Sequence, residues 1–241
     1  MNHAKGSTRP EIHIRAIRGW PTAHGKEAPE LALSPTEKAE LARYAERITY
    51  KTKGSRIFLQ GEVANCLYVL AAGLVRIYTL LPNGDRQILA FHWPGDLFGL
   101  AEHRKFASSA EAITPCTVYR LPLSRLAAFL QANPNLQEAF LVKAFHELRN
   151  TQRQLIVMGR FDVPHRLAAF LLDCSGHERY YHASTQTLEI PITRYDIADY
   201  LGASAETVSR AFGQLEKNRL IGRVGKAVVL DTKRMKAFIG L

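Results

Sequence analysis

The sequence predicts an α+β chain in three parts: a β jelly roll, one long helix and a winged helix-turn-helix. Three observations carry this. Short apolar runs broken by turn residues fill residues 48–121. From Asn135 to Met158 there is no Gly or Pro, room for seven helical turns. Thr193 to Leu215 then reads as two short amphipathic helices meeting at Gly202, with two short apolar runs after them. The division that follows is an N-terminal arm (1–33), a jelly-roll domain (34–132), a dimerisation helix (133–159) and a winged helix-turn-helix domain (160–241).

In the arm, Ile12, Ile14, Ile17 and Trp20 are the only clustered large apolar side chains, and Trp20 is expected to dock it. A helix then starts at Ser34, with Pro35 at its first position and Glu37 completing a capping box, and is expected to run to Arg47. The strand runs are 56–59, 67–71, 74–80, 87–92 and 117–121, divided by Gly61, Gly73, Pro82-Asn83-Gly84-Asp85 and Pro94-Gly95-Asp96. Val75, Ile77 and Thr79 alternate with Arg76 and Tyr78, the period of a half-buried strand. No helix long enough for a crossover separates these runs, which argues against a parallel sheet and for a small barrel or jelly roll.

Asn133-Pro134 reads as the cap and first residue of the long helix. On it Leu141, Ala144, Leu148, Thr151, Leu155 and Met158 follow a 3-4-3-4-3 spacing, a heptad-like seam. A helix lying on its own barrel would show similar spacing. However, Leu136, Phe140 and Phe145 form a second flank, so one side can face the barrel and the seam a second copy. A further helix is expected over 163–174, capped by Asp162, and a short strand over 188–191.

Composition narrows the function. The hydrophobic share is 46% and the charged share 22% of 241 residues, as in ordinary globular domains. The longest uncharged apolar stretch, Leu67 to Val75, is far too short to span a membrane, so no membrane partner is expected. The first 33 residues show no apolar signal core, and three scattered cysteines make no disulfide framework; a reducing cytoplasm is the expected compartment. The net charge is +10, and from Leu201 onward eight basic residues face three acidic ones. Such a basic end attracts polyanions. No phosphate-binding loop, His-Glu-x-x-His or Gly-x-Ser-x-Gly is present, so an enzyme is not expected.

The chemistry concentrates in 193–230. Thr193 and Ser204 cap the two helices, and Gly202 takes the position that wants a left-handed residue. Val208, Ala211, Phe212 and Leu215 face inward, which leaves Glu206, Ser209 and Arg210 together on the opposite face. Arg can hold guanine O6 and N7 bidentately, Glu can accept from cytosine N4, and Ser can bond either way. The simpler alternative for Glu206 and Arg210 is a surface ion pair. Residues 220–224 and 227–230 around Gly225-Lys226 form a wing. Thr193, Arg194, Ser204, Thr207, Arg223 and Lys226 are the expected backbone contacts to double-stranded DNA.

The stretch Ile192-Thr193-Arg194-Tyr195-Asp196-Ile197-Ala198-Asp199-Tyr200-Leu201-Gly202, followed by Glu206-Thr207-Val208-Ser209-Arg210, resembles the CRP/FNR family of bacterial transcription regulators. Gly95-Asp96-Leu97-Phe98-Gly99 and the 82–85 turn also resemble that family's barrel. The resemblance covers residues 34–241 and implies a cyclic-nucleotide-binding-like jelly roll, a homodimer, and an activator that works with RNA polymerase. The Glu-x-x-Ser-Arg pattern matches the FNR and FixK branch, which implies a TTGA/TCAA palindrome. The family's cyclic AMP clamp needs an arginine that the Phe106-Ala107-Ser108-Ser109 segment lacks. Its iron–sulfur cluster needs N-terminal cysteines, and residues 1–65 hold none. Neither group is expected, and no cofactor is assigned. A haem-sensing alternative rests on His92, His103 or Cys66 as axial ligand, and a thiol-sensing one on Cys66, Cys116 or Cys174. A zinc site from Cys174, His177 and His182 lacks a fourth ligand. The remaining alternative is a ligand-binding barrel without DNA activity.

Overall fold

The computed structural model describes residues 34–99 and 101–240; the arm and Trp20 lie outside them. Helix α1 (Pro35–Tyr44) opens with the expected capping box: Ser34 Oγ accepts from the Glu37 N–H at 3.2 Å, and Glu37 Oε2 accepts from the Ser34 N–H at 2.7 Å. It stops short of Arg47. The Ala45 N–H closes on the Leu41 carbonyl, and Glu46–Tyr50 becomes strand β1. Ile48, Thr49 and Tyr50 are β-formers, and pairing with another strand outweighs extending a helix.

Nine more strands follow: β2 (Arg56–Phe58), β3 (Cys66–Ala72), β4 (Val75–Leu80), β5 (Arg86–His92), β6 (Leu97–Phe98), β7 (Ala101–Glu102), β8 (Lys105–Phe106), β9 (Ser109–Ala112) and β10 (Cys116–Pro122). They form two four-stranded sheets, β1-β10-β3-β6 and β2-β9-β4-β5, with β7 and β8 as a separate hairpin. All five expected runs are strands. The sequence reading missed β1 and the short strands β6 to β9, which are too brief to show a period. Aromatic rings bridge the two sheets: Phe58 of the second stacks on Tyr68 of the first at 5.3 Å, and Phe98 lies beside both. Gly99 is obligatory here, because its φ is +88° and a Cβ would sit 2.8 Å from the Tyr68 ring.

Helix α2 (Leu123–Ala132) was not foreseen. Its cap position is Pro122, which offers no side-chain acceptor, so the usual start signal is missing. Helix α3 (Pro134–Arg160) is the expected long helix and runs through Gly159. The Asn133 side chain donates to the Phe129 carbonyl at 2.8 Å, so it serves the end of α2. Leu136, Ala139 and Phe140 pack into a cluster with Leu41, Val69, Tyr119 and Leu121. Phe145, assigned to the same flank from sequence, is instead exposed.

One turn beyond Phe140, Lys143 is fully buried. Its Nζ donates to Asp96 Oδ1 at 2.8 Å, and the two side chains are 1% and 3% exposed. The other Asp96 oxygen accepts from the Trp93 N–H and lies 3.5 Å from His92 Nδ1. Burial alone would push this carboxyl up, yet Lys143 and His92 hold it far below the usual carboxylate range.

By their contacts the described residues divide into one unit of 34–77 and 91–145 and another of 78–90 and 146–240. In the second, α4 (Val163–Cys174) is capped by Asp162, as expected. After it come β11 (Tyr181–His182), β12 (Thr187–Leu188), α5 (Arg194–Leu201), α6 (Ala205–Lys217), β13 (Ile221–Val224), β14 (Ala227–Leu230) and α7 (Thr232–Phe238). The strands order as β11-β12-β14-β13. Strand β12 starts one residue before the expected 188–191 run and ends at Leu188. The core is Leu167, Phe170, Leu171, Ile197, Leu201, Phe212, Leu215 and Met235.

Candidate nucleic-acid interface

The chain between α5 and α6 turns where the sequence requires it. Thr193 Oγ1 accepts from the Asp196 N–H at 3.1 Å and caps α5. Its hydroxyl donates in turn to Asp196 Oδ2 at 2.8 Å. Gly202 closes the helix in the left-handed region, with φ 62° and ψ 43°. Ser204 Oγ then accepts from the Thr207 N–H at 3.1 Å and starts α6. Val208, Ala211, Phe212 and Leu215 anchor α6 in the core. The two helices form a helix-turn-helix, with α6 as the second member.

That burial turns Glu206, Ser209 and Arg210 outward. The Arg210 and Glu206 side chains are 71% and 80% exposed, and their nearest charged atoms are 3.8 Å apart. A pair this long and this open contributes little. Arg210 makes a second, marginal contact with Thr207 Oγ1 at 3.3 Å, and Ser209 Oγ donates to the Ala205 carbonyl at 2.9 Å. Base edges can therefore replace each of these contacts at small cost.

Of the six expected phosphate contacts, Thr207 is half-buried and hydrogen-bonded to Ser204, and the other five fall into two groups. Thr193, Ser204 and Lys226 are exposed, Lys226 on the wing turn between β13 and β14. Arg194 is half-buried, with its guanidinium 3.2 Å above the centre of the Phe212 ring. Burial lowers its pKa to about 10, nearby Arg223 adds to this, and Glu216 opposes it. Arg223 donates to Glu216. Arg194 and Arg223 thus carry intramolecular partners, whereas Lys226 is exposed at the tip of the wing. Two features of this surface were not read from sequence. Tyr195, at the start of α5, is 72% exposed. Arg166 donates to the carbonyls of Met158, Phe161 and Leu201 at 2.7–3.1 Å, which ties the end of α3 to the end of α5.

Along α3, Leu141, Ala144, Leu148, Thr151 and Leu155 are exposed. Met158 is half-buried, and its Cε lies 3.2 Å from where a Cβ on Gly202 would stand, so it also packs on the turn.

In the jelly roll, Ser109 Oγ accepts from the Gln60 N–H at 3.0 Å, and Ala107, not an arginine, stands directly before Ser108. These residues do not fit a cyclic phosphate clamp. His92 is engaged with Asp96, and His103 is exposed on the turn between β7 and β8. All three cysteines are buried. Burial raises Cys116 to about 11 and Cys174 well above its ordinary value, which disfavours the reactive thiolate. Among the described residues, no group of three His, Cys, Asp or Glu is placed to hold a metal ion. No helix among them is long and apolar enough to cross a membrane.

A cyclic nucleotide-binding domain model matches residues 49–133, and a Crp-like helix-turn-helix domain model matches 165–238. The transcriptional activatory protein AadR of Rhodopseudomonas palustris is 37% identical over 209 residues, covering 85% of this chain and 86% of that protein. The chain belongs to the CRP/FNR family. The transcriptional activator protein Anr of Pseudomonas aeruginosa is 29% identical over 233 residues, 93% of this chain and 96% of that protein. The structure of FixK2 from Bradyrhizobium japonicum superposes with a TM-score of 0.72 at 33% identity, covering 82% of this chain and 98% of that one. This CRP/FNR protein is a DNA-binding transcription regulator, and its family is one of regulators rather than enzymes.

Proposed function

We propose that this regulator binds a TTGA/TCAA palindrome as a homodimer and activates transcription in the cytoplasm through contact with RNA polymerase. The observation that carries the reading is the open face of α6, where Glu206, Ser209 and Arg210 stand on one side with weak intramolecular partners. Arg210 holds a guanine and Glu206 a cytosine on the facing strand, with Ser209 near a thymine. Thr193, Arg194, Ser204, Thr207, Arg223 and Lys226 hold the phosphates.

The homodimer reading rests on the exposed seam of α3. Leu141, Leu148 and Leu155 are 54–68% exposed, and an apolar row of this kind is what a second copy of the helix covers. Two copies place two α6 helices on the two halves of a palindrome. The names of AadR and Anr favour activation. The test is a gel shift of the full chain on a TTGA/TCAA duplex and on duplexes with one half-site scrambled. We expect the intact palindrome to bind at least 100-fold tighter than random DNA. Equal binding to all duplexes would reject the reading.

A further inference from the structure

The hairpin formed by β4 and β5 groups with the C-terminal unit from Tyr78 to Ala90 and carries two side chains that reach α5. Arg86 Nη2 donates to Asp196 Oδ1 at 2.8 Å. Its Nε donates to Asp199 Oδ2 at 2.8 Å, and Nη2 also lies 2.6 Å from that oxygen. Gln87 Nε2 donates to the Asp199 main-chain carbonyl at 2.6 Å, one of the last-turn carbonyls that a helix leaves without an internal partner. The Tyr78 ring lies beside the Arg86 guanidinium, 5.9 Å from its centroid.

We propose that Arg86, with Gln87, is a positioning residue for DNA binding: it clamps α5 and offsets part of the negative charge of two carboxylates, Asp196 in the first turn of that helix and Asp199 in its last. Both oxygens of Asp196 are committed, one to Arg86 and one to the capping hydroxyl of Thr193. The residue that caps the helix is thus hydrogen-bonded to the residue that Arg86 holds. Asp196 is buried, so losing the guanidinium removes a cation from an interior carboxylate. Asp199 is part-exposed, and without Arg86 it repels DNA phosphates. A lysine cannot span the same pair, because only the planar guanidinium presents fixed donors to two carboxylates at once.

The clamp does not occlude the reading surface. With it made, Tyr195, Glu206 and Arg210 all remain largely exposed. It therefore favours binding. Because it acts on charge near the phosphates, it affects all sequences alike.

This proposal rests on the DNA-binding reading of the same helices but not on the identity of the palindrome. The test measures binding of full-length wild type, Arg86→Ala, Arg86→Lys and Arg86→Ala/Asp196→Asn/Asp199→Asn to palindromic and random duplexes at two salt concentrations. Circular dichroism monitors folding. Arg86→Ala should weaken binding to both duplexes by about tenfold, and less at high salt, where the part-exposed Asp199 is screened. The triple variant should recover most of the loss, which a purely structural contact would not allow. Should Arg86→Ala fail to fold, Arg86→Lys carries the test, with a loss of about threefold expected. Wild-type affinity in the Arg86 variant that folds, or a loss that neutralising both aspartates does not restore, would overturn the proposal. Failure of wild type to prefer the palindrome would reject the base-reading assignment instead, and the clamp would still be read on random DNA.

Discussion

Two acid–base pairs divide the labour of this molecule. Asp96 and Lys143 in the jelly-roll unit are 2.8 Å apart and sealed from water. Glu206 and Arg210 on α6 are 3.8 Å apart and open to it. The chemistry is similar, a carboxylate and a cation, yet the surroundings are opposite. The buried pair is closed in by its own neighbours, with the Trp93 N–H and His92 at the second Asp96 oxygen. The open pair has most of its hydrogen-bonding capacity unused. Removing half of the first should damage the fold, and removing half of the second should damage recognition.

The same contrast runs along α3, where Leu136, Ala139 and Phe140 are buried and Leu141, Leu148 and Leu155 are not. Leu148→Glu/Leu155→Glu should give monomers by sedimentation with no measurable binding to the palindrome, the largest effect expected here. An unchanged dimer would show that the seam is ordinary surface. Next in size, Lys143→Ala leaves Asp96 buried without its closest cation, held only by His92 and the Trp93 N–H. It should cost about 3–5 kcal/mol in urea unfolding, whereas Arg210→Ala should stay within about 0.5 kcal/mol of wild type.

Acid should act through the same buried pair. The Asp96 pKa is lowered in the folded state by Lys143 and His92 against the upward push of burial. Its contribution is therefore full above the unfolded value of about 4 and is lost as pH falls toward the folded value. An acid titration of unfolding should show Asp96→Asn removing part of that slope. A slope equal to wild type would mean that the pair does not act through charge.

Smaller still is the wing. Lys226→Ala should weaken palindromic and random duplexes alike and reduce the salt slope by about one unit, with a similar change for Thr193-side contacts only where Arg194 can leave Phe212. A loss confined to the palindrome would place Lys226 among the base readers.

Much of this was legible in the sequence where the signal is local. The Ser34–Glu37 box, the Asp162, Thr193 and Ser204 caps and the left-handed Gly202 are each set within four residues, and each is formed. What could not be read depends on distant partners. Arg86 meets Asp196 across 110 residues and Asp199 across 113, and nothing near Arg86 announces either. Arg166 reaches the end of α5 at Leu201, 35 residues along the chain, while it also holds the end of α3. Helix α1 was read too long because nothing between Tyr44 and Arg47 breaks a helix; the partner strand of β1, β10, lies some 70 residues away. Phe145 was placed on the buried flank because spacing alone cannot say where a flank loses its partner.

The central claim is that α6 reads bases through its open face, and one comparison tests it most directly. Fluorescence anisotropy would measure wild type and Arg210→Ala on the TTGA/TCAA duplex and on a random duplex, at one salt concentration. The account predicts a loss of about 1–3 kcal/mol per half-site on the palindrome and little change on random DNA, so that the specificity ratio collapses. Equal weakening on both duplexes would contradict it and make Arg210 a phosphate contact.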